Sequence, residues 1–206
     1  MAETERPQIY LVTPHSFDPE AFAPELARIL DSVEIACVRL ASTSEDESEV
    51  ARAADACREV AHARDVPLVI ERHIALVERL GLDGVHLADG ARSVRATRKA
   101  LGGDAILGSY CAASRHDGLV AGEAGADYIS FGPVGETGLG DGTRAERDLF
   151  AWWSQMIELP VVAEGALDVE LIAEFAPVVD FFALGAEIWR ADDPVTALND
   201  LLKPLG

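Results

Sequence analysis

Short apolar runs recur along the chain and are separated by segments with a helical pattern of apolar positions. Most runs are nearly continuous in apolar character, which is typical of parallel strands buried on both faces. The eight runs are QIYLVT (8–13), VEIACVRL (33–40), VPLVI (66–70), LDGVHLA (82–88), DAILGSY (104–110), ADYISFG (126–132), LPVVAEG (159–165) and VVDFFALG (178–185). We therefore predict eight parallel strands.

The segments between these runs place apolar residues three and four positions apart, as amphipathic helices do. Acidic residues at several starts and glycines after several ends are ordinary helix boundaries. The clearest predicted helices are PEAFAPELARILDS (19–32), DESEVARAADACREVAHARD (46–65), RSVRATRKALG (92–102), SRHDGLVAGEAG (114–125) and DDPVTALNDLLKPLG (192–206). Such alternation predicts right-handed βα units around a parallel sheet.

Eight βα units in 206 residues predict an α/β protein with one domain, a closed (β/α)8 TIM barrel over residues 1–206. An open doubly wound sheet is the alternative. A dinucleotide-binding sheet of that kind would show GxGxxG after its first strand, whereas TPHSFDPE (13–20) follows here. In a TIM barrel, functional residues lie on the loops after the C-terminal strand ends. GETGLGDGTRAERD (135–148) is the one long glycine-rich connection.

The charge of the chain limits the binding partners to be expected, and its cysteine content bears on the cellular compartment. The chain has 36 acidic and 17 basic residues and a net charge of −19, so its surface repels nucleic acid and anionic membranes. We expect neither partner, and no apolar run approaches the roughly 18 residues of a membrane span. The start MAETERPQIY lacks the apolar region of a signal peptide. Cys37, Cys57 and Cys111 form no CxxC pair, which favours a reducing cytoplasmic setting.

Several segments around the predicted strand ends carry a resemblance to a known family. They are IYLVTP, PLVIERHIALVERLGLDGVHLADG, AILGSYCAAS, GADYISFGPVGETG and DDPVTALNDLL. In these segments the chain resembles thiamine phosphate synthase and the related TenI-type thiazole tautomerase. The resemblance implies a role in thiamine biosynthesis, in which hydroxymethylpyrimidine diphosphate is joined to thiazole phosphate. It also implies a small phosphorylated or heterocyclic ligand and Mg²⁺ on the leaving diphosphate.

Positions that carry the metal and phosphate chemistry of this family hold other residues here. The family motif QLRxK falls on CVRLA, which keeps Arg39 but has Cys37 for glutamine and Ala41 for lysine. The Asn-Asp-Arg motif of the third strand falls on Glu71 and Arg72, so the metal-binding aspartate becomes an arginine. A cation in that position opposes Mg²⁺ binding, and the guanidinium could instead bind a phosphate group directly.

The family motifs later in the chain have also lost metal- and phosphate-binding residues. The second metal-binding aspartate falls on Ala91, with Asp89 two residues earlier, and the lysine of the glycine-rich loop falls on Gly140, with Thr137 retained. Most Mg²⁺ ligands of the family are therefore lost, and we predict no metal-binding residue. The family serine after the fifth strand falls on Tyr110.

Four charged residues at the predicted strand ends are the catalytic candidates: Arg39, Glu71, Arg72 and Glu164. Arg39 and Glu71 would line a pocket or form a structural ion pair. Glu164 stands in an apolar strand, where a carboxylate is costly unless it is paired. We expect Glu164 to accept a hydrogen bond from an amino-pyrimidine or to form an ion pair with Arg39. It would also repel a phosphate at Gly165, although backbone N–H groups near Gly185 remain available to bind one.

The substrate-binding candidates are Cys37, His86, Asp89, Ser109, Tyr110, Thr137, Gly165 and Gly185. For His86 and Cys37 a packing role in the core is the alternative. Trp152 and Trp153 on the helix before the seventh strand suggest an oligomer contact, and we expect a homodimer.

Three functions remain open from the sequence. The first is a thiamine phosphate synthase with a rearranged site. The second is a paralogous enzyme, such as a tautomerase with Glu71 or Glu164 as base. The third is a barrel that binds a thiamine precursor without catalysis. The lost ligands predict weak or absent standard synthase activity.

Overall fold

The computed structural model describes residues 6–206, which form a closed barrel of parallel strands with helices outside. Each strand pairs with the next, and β1 pairs with β8 to close the barrel. The strands are β1 Gln8–Val12, β2 Cys37–Leu40, β3 Leu68–Glu71, β4 Gly84–Leu87, β5 Ile106–Tyr110, β6 Tyr128–Phe131, β7 Val161–Glu164 and β8 Phe181–Leu184. The predicted TIM barrel is confirmed, and the open sheet is excluded.

The helices cover the outside of the barrel and begin at residues that suit helix starts. The side chains of Asp18, Asp46, Ser114 and Asp168 accept hydrogen bonds from main-chain N–H groups of the first turn, as N-caps do. The helices are α1 Pro19–Ser32, α2 Glu47–His62, α3 Ile74–Leu80, α4 Val94–Leu101, α5 Arg115–Ala124, α6 Arg147–Met156, α7 Val169–Phe175, α8 Ala186–Trp189 and α9 Pro194–Leu201.

Alternating strand residues build two separate apolar layers. On β1, Ile9 and Leu11 pack in the large cluster between strands and helices, whereas Tyr10 belongs to a small cluster inside the barrel. This follows from the opposite directions of successive side chains in a strand. The interior cluster comprises Tyr10, Cys37, Val69, Tyr128, Val162 and Ala183. Mostly apolar side chains thus line the N-terminal half of the barrel interior.

The tryptophan pair on α6 divides between core and surface. Trp153 is buried and donates from Nε1 to the carbonyl of Leu159 at 2.8 Å. Trp152 is partly exposed, with the Arg115 guanidinium 4.1 Å from its ring centroid. Within residues 6–206, no helix has the length and apolar character needed to cross a membrane.

Gly108 on β5 gives the first test of interior packing. A Cβ on Gly108 would lie 2.0 Å from the ring of Tyr128, which is buried in the barrel. We expect Gly108→Ala to lower the free energy of unfolding by about 1–3 kcal/mol, as overpacking does. Urea denaturation measures this. Gly103→Ala is the matched control, because a Cβ there meets nothing within 4 Å. Equal stability of the two variants would contradict the packing described here.

Candidate active site

Polar side chains occupy the barrel interior towards the C-terminal strand ends. Five strands contribute one buried or nearly buried group each: Arg39 from β2, Glu71 from β3, His86 from β4, Ser130 from β6 and Glu164 from β7. Hydrogen bonds and ion pairs join them across the barrel. The C-terminal half of the interior is therefore a polar network above an apolar floor.

Arg39 lies at the centre of this network. Its Nη2 donates to Glu164 Oε2 at 2.6 Å, and its Nη1 donates to His86 Nε2 at 2.8 Å. Its Nε lies 3.2 Å from Glu71 Oε1, an ion-pair distance, but the N–H is not aligned for a hydrogen bond. One guanidinium therefore connects β2 to β3, β4 and β7.

The pKa values of the two carboxyl groups are shifted in opposite directions. Burial raises the pKa of Glu164, but the charge of Arg39, the neighbouring His86 and the hydrogen bonds from Arg39 and Ser130 together outweigh burial and hold that pKa below its ordinary value. Ser130 also donates to Glu164 Oε1 at 2.5 Å. Burial raises the pKa of Glu71, and Arg39 only partly offsets this. Glu71 is also the more exposed, with 18% of its side chain accessible against 5% for Glu164. Glu71 is therefore the carboxyl group able to exchange a proton at the mouth.

A chain of hydrogen bonds runs from Arg39 towards the other end of the barrel. Because Arg39 only donates, His86 Nε2 accepts, and His86 Nδ1 carries the proton and donates to Tyr128 Oη at 2.9 Å. The hydroxyls of Tyr128 and Tyr10 are 2.5 Å apart. Burial and the charge of Arg39 lower the pKa of His86 to about 3. The imidazole is therefore neutral and links the mouth to the two buried phenols.

Cys37 lies away from the mouth. It follows Ala36 at the start of β2 and lines a cavity of about 240 Å³ at the N-terminal end of the barrel, with Tyr10, Tyr128 and Val162. Burial raises the pKa of its thiol to about 12, so the thiol is protonated at neutral pH. The structure thus separates Cys37 from Glu71 and Glu164.

Arg72, Asp89 and Thr137 lie on the outer rim of the mouth. Arg72 is exposed, and its Nη2 donates to the carbonyl of Ser42 at 2.6 Å. Asp89 is exposed and accepts from Ser93 Oγ at 2.5 Å, and Thr137 is exposed in the glycine-rich loop. The structure does not bring these three into the Arg39 network.

The remaining candidates lie at the ends of β5, β7 and β8. Ser109 faces the helices and donates to the carbonyl of Gly90 at 2.7 Å. Tyr110 is partly buried, and its Oη donates to the carbonyl of Gly132 at 2.7 Å. Gly165 and Gly185 begin the loops that follow β7 and β8. Tyr110 and the two glycines therefore border the mouth, and Ser109 supports it from outside.

Four polar residues of the Arg39 network and the mouth were not predicted from the sequence: Tyr10, Tyr128, Ser130 and Glu187, whose carboxylate accepts from main-chain N–H groups of the loops after β7 and β8. The first three share one signal, a polar side chain in a buried strand at a position that faces the barrel. For Glu187 the signal is an acid two residues after Gly185, in the first turn of α8. In both cases the strand and helix patterns locate the residue, but its partners come from distant segments.

Magnesium, which the family resemblance implies, does not fit the side chains at this mouth. Mg²⁺ requires hard oxygen ligands, usually carboxylates with substrate phosphates. Glu71 and Glu164 already face Arg39, and Asp89 lies on the outer rim. In the described part of the chain, no group of three or more His, Cys, Asp or Glu side chains is arranged to hold a metal ion.

Removal of the central cation tests the network. Arg39→Leu leaves Glu164 and Glu71 buried beside each other without a cation, and we expect a loss of about 3–5 kcal/mol of unfolding free energy at pH 7. Without Arg39, burial raises both carboxyl pKa values above those of the unfolded chain, so the deficit should shrink as the pH falls towards 5. Urea denaturation at pH 7 and pH 5 measures both effects.

The matched control is the double variant Arg39→Leu with Glu164→Gln, which removes the charge pair together. It should be more stable at pH 7 than Arg39→Leu alone. A double variant no more stable than the single one would show that the charge on Glu164 is not balanced by Arg39.

His86 gives an independent prediction about pH. Its pKa is about 3 in the folded chain and about 6.5 when unfolded, so the unfolded chain binds the proton first as the pH falls. The contribution of His86 to stability should fall by about 1.4 kcal/mol per pH unit below 6.5. Nitrogen NMR of the ring between pH 8 and pH 5 should show no titration of the folded protein. A midpoint near 6 would contradict the hydrogen-bonded neutral ring.

Solved structures of other proteins share this fold. A thiamine phosphate pyrophosphorylase from Pyrococcus furiosus superposes with a TM-score of 0.84 at 20% identity, covering 96% of this chain and 95% of that one. A 3-hexulose-6-phosphate synthase superposes with a TM-score of 0.72 at 14% identity, covering 97% of this chain and all of the other. At these identities the likeness concerns the fold.

Sequence relatives and a family profile identify the family to which the chain belongs. Thiamine-phosphate synthase of Rhodospirillum centenum is 39% identical over 94% of this chain and 95% of its own length. The enzyme of that name from Erythrobacter litoralis is 36% identical over 94% of this chain and 93% of its own length. Residues 9–188 match the family described as thiamine monophosphate synthase. The chain, with its TIM barrel and its Arg39-centred mouth, belongs to the thiamine monophosphate synthase family.

Proposed function

We propose that this protein acts in thiamine biosynthesis, at the step that joins the pyrimidine and thiazole halves of the molecule. The observation that carries the proposal is the match to named thiamine-phosphate synthases over 94% of the chain. The ligand in this proposal is a small heterocycle held at the C-terminal mouth, beside Glu71 and Tyr110. The alternatives of a tautomerase or a non-catalytic binder have no comparable support from these relatives.

The geometry of the mouth limits the standard reaction. Departure of a diphosphate requires cations or a metal to neutralise the developing charge. Arg39 is the retained basic residue of the family motif, and it already faces Glu164 and Glu71. With one cation and two carboxylates, the interior carries a net negative charge whenever Glu71 is ionised. A negative charge brought to about 4 Å from one of these carboxylates is disfavoured by on the order of 4 kcal/mol at an effective dielectric near 20.

We infer in addition a cytoplasmic homodimer. The three cysteines are free and buried, which supports a reducing compartment. Trp152 on α6 offers a partly exposed aromatic surface of the kind that is enriched in protein interfaces.

Product formation from hydroxymethylpyrimidine diphosphate and thiazole phosphate, with and without Mg²⁺, tests the proposal. We expect thiamine phosphate to form well below the roughly 1 s⁻¹ at the low end of ordinary enzymes. Addition of Mg²⁺ should change this rate little, because the mouth lacks its ligands. Mg²⁺-dependent turnover at an ordinary rate would overturn the interpretation of the site. A folded protein that neither makes the product nor binds either heterocycle would overturn the proposed function.

Arg72→Asp is the informative variant in the same assay. It restores one family metal ligand but leaves Ala41, Ala91 and Gly140 unchanged. We therefore expect no rescue of Mg²⁺-dependent turnover. Full rescue by this one change would show that the remaining residues form a working diphosphate site.

A further inference from the structure

The hydroxyl groups of Tyr10 and Tyr128 form the inner end of the hydrogen-bond chain that begins at Arg39. Arg39 Nη1 donates to His86 Nε2, and His86 Nδ1 donates to Tyr128 Oη. The direction of these two bonds is fixed, because a guanidinium cannot accept. The two phenol oxygens lie 2.5 Å apart and share one further hydrogen bond, in which either oxygen is able to donate.

The phenol pair carries one hydrogen-bond donor more than it can use itself. Two hydroxyl hydrogens are present, and the bond between the oxygens takes up one of them. If Tyr128 donates to Tyr10, the Tyr10 hydrogen has no acceptor among residues 6–206, and in the reverse case the Tyr128 hydrogen has none. Both residues are buried, with 2% of Tyr10 and 8% of Tyr128 exposed. Buried polar groups nearly always have a partner, so this unpaired hydroxyl hydrogen requires an explanation.

The side chains packed around the phenol pair supply no oxygen acceptor. The interior cluster that holds the two phenols is completed by Cys37, Val69, Val162 and Ala183. The thiol of Cys37 is the polar group among these four, and it donates to the carbonyl of Val38 at 3.6 Å. Within the described chain, the unpaired hydroxyl hydrogen therefore finds no protein acceptor.

Both phenols border the cavity of about 240 Å³ at the N-terminal end of the barrel, on the opposite side from the mouth. An apolar cavity of about 150 Å³ in another protein holds benzene, so this cavity has room for a single ring with a small substituent. Apart from the phenols, Cys37 and the rim residues Gln8 and Asp127, its lining is apolar: Ala36, Pro67, Ile106, Pro160, Val162 and Phe181.

A water molecule would be poorly held in this cavity. A buried water ordinarily makes about three hydrogen bonds to polar groups. Pro67 and Pro160 have no N–H, and their carbonyls already accept from the main-chain N–H groups of Val38 and Ile129 at 2.9 and 3.1 Å. A mostly apolar molecule with one acceptor suits both the lining and the unpaired hydroxyl hydrogen better than water does.

An ion does not suit the cavity either. It would have to leave water for an apolar lining, which is costly without a partner of opposite charge. Asp127 is the charged residue of the lining, and Arg98 Nη2 already lies 2.5 Å from its Oδ2. The Asp127 carboxylate also accepts from the main-chain N–H of Leu107 at 2.7 Å. The cavity therefore favours an uncharged molecule.

We propose that this cavity is a second ligand site, separate from the mouth, for a small uncharged molecule that is mostly hydrocarbon and carries one hydrogen-bond acceptor, such as a ring ketone or ether. The acceptor takes the unpaired hydroxyl hydrogen of the phenol pair, and the hydrocarbon packs against Ile106, Val162 and Phe181. With Tyr10 as the donor, all bonds from Arg39 to the ligand run in one direction and polarise one another. The ligand at one end of the barrel is thereby linked to the guanidinium at the other.

Cyclohexanone and methylenecyclohexane test the site, because they differ in the acceptor and little in shape. The amide NMR signals of Cys37, Tyr128 and Val162 are followed while each compound is added to the full chain. We expect both compounds to give saturable shifts at these amides. Cys37→Leu fills the cavity and should abolish the binding of both. Cys37→Ala is the matched control, because it removes the thiol but keeps the space, and it should still bind both compounds.

The double variant Tyr10→Phe with Tyr128→Phe tests the acceptor, since it removes both hydroxyls and keeps both rings. The affinity for cyclohexanone should fall about three- to tenfold, the ordinary net worth of one hydrogen bond. The affinity for methylenecyclohexane should not fall, so the comparison cancels any general change in the cavity. Infrared spectroscopy of cyclohexanone bound to the unsubstituted chain gives a second measurement that needs no variant. Its carbonyl band should lie below its frequency in cyclohexane, because a hydrogen bond weakens the C=O bond.

Several results would overturn the proposal. The first is the absence of saturable shifts with both compounds in the unsubstituted chain, which would leave the cavity to water. The second is undiminished binding to Cys37→Leu that is folded by circular dichroism, because the compounds would then lie elsewhere. The third is an equal change in affinity for the two compounds in the folded double variant, or a carbonyl band at its cyclohexane frequency. None of these results bears on the proposed function, which concerns the other end of the barrel.

Discussion

The charge of Arg39 inside the barrel is the constraint on which the rest of the mouth depends. A buried guanidinium is costly to desolvate, and the cost is offset only when its donors are taken up by well-placed acceptors. Glu164 and His86 supply two of these acceptors, and Glu71 adds an ion-pair contact. Burial and the same cation together keep His86 neutral, and the cation helps to keep Glu164 ionised. One side chain therefore shifts the pKa of groups on three other strands, although burial still raises the pKa of Glu71 above its ordinary value.

The fold was predictable because its signals are local and repeated. Eight apolar runs and the patterns between them locate every strand, and the observed strands lie inside the predicted runs except that β3 extends one residue further, to Glu71. The pairing of Glu164 with Arg39 was one of two expectations from the cost of a carboxylate in an apolar strand. A buried carboxylate on β7 requires a cation nearby, and the barrel supplies one because it brings the C-terminal ends of β2 and β7 together.

Other parts of the mouth were not predictable in the same way. The strand pattern says that Tyr10 and Tyr128 are buried, but not that their hydroxyls meet each other and His86. Arg72 follows Glu71 directly, yet it has a φ of 64° and turns to the rim to bond with Ser42. Neighbouring residues in the sequence thus lie in different environments, and only the backbone conformation decides between them.

The interdependence of the three charges limits which single substitutions the interior of this barrel can accept. Loss of Arg39 alone leaves two buried carboxylates without a cation, and loss of Glu164 alone leaves the guanidinium with only Glu71, among the described residues, as a carboxylate partner. Either single substitution therefore lowers stability, whereas a coordinated change of both partners need not. Folding thus constrains these positions jointly, independently of any constraint that chemistry at the mouth imposes.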